Sequence, residues 1–313
     1  MDRRHFLRSA GLAGAGVSAL VATPSIARLS RTGHDFKRPG LQLFTVMKLL
    51  DTDFEGTLRT VSKIGYREVE TMGAFNRDPA AVRDQLRRFG LVTPSQHLMP
   101  GSLYNDFSSY NRGEIGWEEI IRRFTLAFDF ARVEQFVTEA IGRAKILGQK
   151  YIVWQANWQK GYGLAEVKKH VDAFNLAGKL CHEAGLTFAF HNHNLEFGPL
   201  DGTTAYDLIV QGTDPETVKL EMDFMWASFA GVDPVAYFER YPGRFRMTHL
   251  KDRTADGKIV IPGTGIENFP RLLLASEKAG IEHAFVEYDQ PVSPIDEIKA
   301  AYHYLTTLDR VAK

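Results

Sequence analysis

Between residues 41 and 287 the sequence alternates eight times between a short β-rich run and an amphipathic helical run, which restricts the fold more than any other feature. Residues 41–44, 68–70, 91–93 and 151–154 read as strands one to four. Residues 187–191, 218–223, 245–249 and 284–287 complete the eight. Helical periodicity marks 54–64, 80–89, 133–147 and 164–184, with further helices near Pro234, Pro270 and Ile295. Gly65, Gly90, Gly185 and Gly280 each stand where a helix should end just before the next strand. Eight strand–helix repeats predict a single closed (β/α)8 TIM barrel of parallel strands wrapped by helices. An open doubly wound sheet is the competing topology, but no GxGxxG follows the first strand. Gly263-Thr264-Gly265 comes after strand seven and reads as loop chemistry.

Two stretches fall outside the repeat. Residues 99–132, between strand three and the next helix, are rich in Tyr, Phe and Trp. This long β3–α3 insertion reads equally as a lid over the barrel mouth and as extra helix on its rim. The chain starts with Arg3-Arg4-His5-Phe6-Leu7, followed by a mild Gly/Ala/Ser stretch and small residues up to Ala27. The motif resembles the twin-arginine export signal. The resemblance implies a signal peptide over residues 1–27, a barrel domain over 28–313, contact with the twin-arginine export machinery and a periplasmic location. The stretch is too short and too weakly apolar to act as a stable membrane anchor.

Composition narrows the chemistry. The chain has 38 acidic and 38 basic side chains, so it lacks the cationic excess expected of a nucleic-acid binder. A single cysteine excludes an intramolecular disulfide and any CxxC metal or redox site. That thiol, Cys181, lies in a helical run and reads as core. Reactivity must come from His, Asp, Glu and Lys. In a (β/α)8 barrel functional groups sit at the C-terminal ends of strands. Glu70, His97, His191, His193, Glu196, Asp223, His249, Lys251 and Glu287 all fall there. One buried histidine is usually a satisfied core residue, but imidazoles and carboxylates gathered at one mouth need a counter-charge. A divalent cation supplies it, and thiolate-free Asp/Glu/His ligation suits Mn²⁺, Mg²⁺, Co²⁺ or Zn²⁺ alike.

The strings HNHNLEF, LEMDFMW and HLKDR resemble the xylose-isomerase-like barrel superfamily of sugar phosphate isomerases/epimerases, inosose dehydratases and family 2 AP endonucleases. Metal ligands in that superfamily come from strands five to eight, usually as Glu, Asp, His and Glu. The resemblance implies Asp223, His249 and Glu287 as three of them. Strand five departs from the pattern by ending in His191, with Glu196 five residues later. His191 is the favoured fourth ligand because it stands at the strand end, and Glu196 is the alternative.

The superfamily's shared step is removal of a proton next to a carbonyl, giving a metal-stabilised enediolate. Glu196, His193 and Glu287 are the candidate bases, and Lys251 could steady the oxyanion, protonate a leaving hydroxyl or merely pair with Asp252. Glu70 and His97 read as substrate-hydroxyl contacts, and Trp154, Trp158 and Trp226 as faces for a sugar ring. The expected activity is that of a metal-dependent isomerase or epimerase acting on a free sugar or keto-sugar. The alternative is a keto-glycoside lyase or inosose-type dehydratase that eliminates from the same enolate. An AP endonuclease and a non-catalytic sugar-binding barrel rank lower. Homo-oligomerisation stays open.

Overall fold

The computed structural model describes residues 38–155, 162–289 and 291–308. Eight strands close into a barrel: β1 (Gly40–Gln42), β2 (Glu68–Met72), β3 (Val92–His97), β4 (Tyr151–Gln155), β5 (Thr187–His191), β6 (Val218–Asp223), β7 (Phe245–Leu250) and β8 (His283–Val286). Neighbours follow chain order around the ring, every pair is parallel, and β1 closes on β8. The expected (β/α)8 topology is thus the one observed. The proposed signal and its cleavage point, together with Trp158, lie outside the described residues. No helix among the described residues is long and apolar enough to cross a membrane.

Strand alternation decides what faces the barrel axis. Tyr151, Val153, Ala189, Met247 and Phe285 form an apolar cluster of their own inside the barrel. Ile152, Trp154, Phe188, Phe190, Leu220 and Met222 point outward into the larger core shared with the helices. Fully burying one such side chain contributes about 1.5–3 kcal/mol. One pleat beyond the inner cluster, the same inward rows carry Gln155, His191, His249 and Glu287. The apolar plug therefore closes the barrel from below and presents the polar groups at its C-terminal end.

Six of the eight strands differ from expectation by a few residues at a boundary, and in two the cause is visible. β1 stops at Gln42, whose side-chain oxygen accepts from the Phe44 N–H at 3.1 Å and starts a 3-10 turn over Leu43–Val46. β3 runs on to His97 through Pro94, a residue that reads as a strand breaker. The pairing register between β2 and β3 shifts there, Glu68 opposing Val92 and Glu70 opposing Ser95, and such an irregularity tolerates proline. Gly185 and Gly280 end their helices as expected, at φ 77° and 76°.

The insertion takes the form of extra helix. It folds into helices Leu103–Asn111 and Trp117–Ala127, held together by an Arg123–Asp106 ion pair at 2.7 Å. Their side chains Phe107 and Phe124 also face the barrel mouth.

After β7 the chain folds around one carboxylate. Asp252 accepts backbone N–H groups from Arg253 (2.9 Å), Gly263 (2.9 Å), Gly265 (2.9 Å) and Glu267 (3.1 Å). This is the loop role expected of the Gly-Thr-Gly step. A Cβ on Gly265 would lie 2.3 Å from both the Arg253 carbonyl oxygen and an Asp252 carboxylate oxygen. Gly265→Ala is therefore expected to lower stability by about 1–3 kcal/mol in urea unfolding; an unchanged midpoint would show that the loop does not need this close approach.

Candidate active site

The deepest polar layer is built on two carboxylates with no exposed surface, Glu70 from β2 and Glu221 from β6. Glu70 Oε2 accepts from Gln42 Nε2 at 2.8 Å and lies 3.1 Å from His97 Nε2 and 2.7 Å from His249 Nε2. Glu221 Oε2 lies 3.2 Å from His97 Nε2, 3.0 Å from His191 Nδ1 and 3.4 Å from His249 Nε2. Burial opposes ionisation of Glu70, but His97 and His249 overcome it and hold its pKa well below the ordinary carboxylate range. Burial likewise opposes charge on His97, yet Glu70 and Glu221 push it up to about 9. Glu221 is shifted the other way, by burial and by the charge of Glu70.

A second layer stands nearer the mouth. Lys251 is 2% exposed and its Nζ lies 2.8 Å from Glu287 Oε2, 2.8 Å from Asp289 Oδ1 and 3.3 Å from Asp223 Oδ2. It is thus no surface lysine paired with Asp252, which is engaged by loop N–H groups. Glu287 Oε2 also meets His249 Nδ1 at 2.7 Å. Burial opposes the ammonium, but Asp289, Glu287 and Asp223 hold it charged well above the usual lysine range. Asp223 is pushed up to about 6 by burial, against the pull of Lys251 and His249. His193 is displaced downward by burial and by the charge of Lys251, so its imidazole is neutral. The His193 ring centroid lies 5.7 Å from that of Trp226, and Lys251 Nζ 5.8 Å from the same indole.

The four residues expected to hold a metal fall into two overlapping groups with ligand-like spacing. Asp223, His249 and Glu287 form one, and His191 joins His97, Glu221 and His249 in the other. His191 links them, its Nδ1 on Glu221 and its Nε2 3.8 Å from Asp223 Oδ2. That Asp223 oxygen is buried and receives no hydrogen bond, and the donor set is all nitrogen and oxygen. These residues fit a divalent cation. Histidines that bind metal through one nitrogen commonly have the other fixed by a carboxylate, and Glu70 and Glu221 stand in that position.

Other expectations are corrected by side-chain direction. The 3-10 turn Leu195–Phe197 curls Glu196 back, so that it accepts from the His193 N–H (2.9 Å) and from the Tyr162 hydroxyl (2.7 Å) instead of lining the cavity. The alternative in which Glu196 replaces His191 as a ligand therefore has no geometric support. Glu70 is covered by Gln42, His97 and His249 and does not reach the cavity as a hydroxyl contact. Trp154 points outward at 0% exposure, stacked 5.1 Å from Phe128, and offers no face to a sugar. Trp226 sits beside His193 and Lys251. His97, His191, His193, Lys251 and Glu287 line the cavity as expected. Glu221 and Asp289 were missed; Glu221 lies two residues before Asp223 on β6, where strand alternation would have found it, whereas Asp289 lies past the end of β8. Cys181 is a core thiol whose pKa is pushed up to about 12 by burial.

The residue pattern 58–308 matches the family model described as xylose isomerase-like TIM barrel, and the chain belongs to that family. Among individual proteins, it is 23% identical over 238 residues to an inosose dehydratase of Geobacillus kaustophilus, covering 68% of this chain and 72% of that protein. Its fold is similar to a crystal structure of a sugar phosphate isomerase/epimerase from Parabacteroides distasonis, with TM-score 0.72, 24% identity and coverage of 88% of this chain and 99% of the other. It is also similar to the IolI protein, solved with a bound zinc atom, at TM-score 0.62, 16% identity and coverage of 87% and 97%.

Burial pushes the Glu196 carboxyl up to about 7, above its unfolded value near 4.5. A raised carboxyl favours the folded state while protonated, so its stabilising contribution is present below about pH 4.5 and fades as pH rises through about 7. Glu196→Gln should remove this loss. Urea midpoints measured from pH 5 to pH 8 should show the variant gaining on the native chain with rising pH; parallel curves would place the carboxyl in water.

Proposed function

We propose that this chain is a metal-dependent sugar carbon–oxygen lyase of the dehydratase type, which removes a proton next to a carbonyl and expels the β-oxygen. The observation that carries the reading is the placement, in one cavity and both beside Trp226, of an imidazole and a primary amine, His193 and Lys251. Elimination needs a base and an acid at once; burial favours the neutral form of His193, and the surrounding carboxylates favour the protonated form of Lys251. The inosose dehydratase relative supports the same choice. The expected isomerase or epimerase shares the first step but calls for the proton to be returned to carbon, for which Lys251 among its three carboxylates is poorly suited.

His191, Asp223, His249 and Glu287 would hold the divalent ion, and the IolI protein, which shares this fold, was solved with a bound zinc atom. The ion would supply Lewis-acid polarisation of the carbonyl. His193 takes the α-proton, and the C–H electron pair moves into the new double bond. Lys251 gives its proton to the departing oxygen as the C–O bond breaks, leaving water or an alcohol. Asp289 and Glu287 keep Lys251 in place and charged until that moment. His97 lines the same wall and is suited to hold a substrate hydroxyl. The Arg3-Arg4 motif supports twin-arginine export of the folded chain and reaction in the periplasm.

Incubating metal-loaded enzyme with a keto-inositol and with methyl 3-keto-β-D-glucopyranoside in D₂O tests the reading. An unsaturated ketone is the expected product, seen by NMR and by new ultraviolet absorbance. A saturated isomer carrying deuterium would overturn it in favour of isomerisation. His193→Ala should lower kcat by about 100-fold or more while leaving bound metal intact. Asp223→Ala and His249→Ala should lose both bound metal, read by elemental analysis, and turnover. Full metal content in either variant would move the ion elsewhere.

A further inference from the structure

The cavity above the polar cluster has a second wall for which elimination has no use. Phe44, Met72, Met99, Phe107 and Phe124 face it. They come from five separate places: the turn after β1, the end of β2, the segment after β3 and each helix of the insertion. Phe107 joins them, meeting Phe44 edge-on at 5.6 Å and Phe124 at 6.3 Å. Phe124 and Met72 are each 1% exposed, whereas Phe44 and Phe107 are only half-buried and keep open surface toward the cavity. A sugar ring has one C–H face to set against an aromatic ring. The half-buried rings of Phe44 and Phe107, backed by Phe124 and the thioethers of Met72 and Met99, give the cavity an apolar side apart from its charged one. The charge on the opposite wall points the same way. Among the described lining residues Lys251 is the only Lys or Arg, and Asp223, Glu287 and Asp289 already surround it. A phosphate entering this cavity would meet the carboxylates of Glu287 and Asp289 and no Lys or Arg side chain besides Lys251.

We infer that the substrate is a keto-sugar glycoside whose glycosidic oxygen carries an apolar aryl or alkyl group, with that group seated on the Phe44–Phe107–Met99 wall. The identity of the reacting end rests on the lyase reading; the apolar end rests on the wall alone. Phe107 sets the preference because it is the ring that both insertion and barrel support.

Binding can be measured apart from reaction with glycosides that lack the keto group. Phenyl β-D-glucopyranoside, methyl β-D-glucopyranoside and glucose 6-phosphate are titrated into the full chain by calorimetry. The phenyl glycoside should bind about tenfold or more tighter than the methyl glycoside, with no gain for the phosphate. In Phe107→Ala the phenyl-to-methyl ratio should fall close to one, and Phe107→Leu, which keeps an apolar side chain, should retain a large part of it. Equal affinity of phenyl and methyl glycosides for the native chain, tightest binding of the phosphate, or no measurable binding of the phenyl glycoside would overturn the inference. The native-chain comparison stands even if a variant fails to fold. Deuterium exchange on methyl 3-keto-β-D-glucopyranoside reports separately on the reaction. Elimination without an aryl preference removes this inference and leaves the lyase reading, whereas an aryl preference without proton abstraction does the reverse.

Discussion

Glu70 and Glu221 are two carboxylates sealed inside a barrel, and the rest of the site is arranged around the need to keep them there. Burying a carboxylate costs several kcal/mol unless positive charge and hydrogen bonds meet it. Here His97 stands between the two, within 3.2 Å of both, and His249 reaches Glu70 at 2.7 Å. The neutralised layer then dictates the orientation of the rings above it. His191 is held by its Nδ1 on Glu221, which leaves Nε2 facing Asp223. His249 is held by Nε2 on Glu70, which leaves Nδ1 facing Glu287. Removing either carboxylate would free a ring of its anchor and leave His97 with one carboxylate partner instead of two.

Above that layer the cavity divides into two chemical halves. Lys251, Glu287, Asp289 and the histidines occupy one, while the aromatic side chains of the insertion and of the turn after β1 occupy the other. The division comes from topology. His97, His191, Asp223 and His249 ride on barrel strands, with Lys251, Glu287 and Asp289 within a few residues of strand ends, and the added helices carry Phe107 and Phe124 of the apolar half. Rigid strands suit groups that must hold a proton at a set position. Added helices can change the shape of the opposite wall without disturbing those groups.

Much of the architecture was legible from the chain. The strand count, the parallel order, the helix-ending glycines and the loop character of Gly263-Thr264-Gly265 depend on local periodicity and turn chemistry, which a sequence displays directly. His191, Asp223, His249, Lys251 and Glu287 were legible as well, because a strand end in a barrel has one place to go. Side-chain direction was less legible. Trp154 is one residue from the inward Val153 and faces the opposite way, and Glu221 is two residues before Asp223 and faces the same way. Strict alternation separates both cases, whereas attention to residue type alone does not.

The sequence by itself determined a barrel and the rim on which its ionisable groups gather, since hydrophobic periodicity and strand-end position are properties of neighbours along the chain. Only the tertiary structure decided which carboxylates lie beneath the rim and which line the cavity. It also decided that Glu196 turns back onto His193, and that Phe44, Phe107 and Phe124 share a wall. Those outcomes depend on groups far apart in sequence meeting across the barrel, and on the cost of leaving a buried charge or an aromatic face without a partner. No local pattern records that cost.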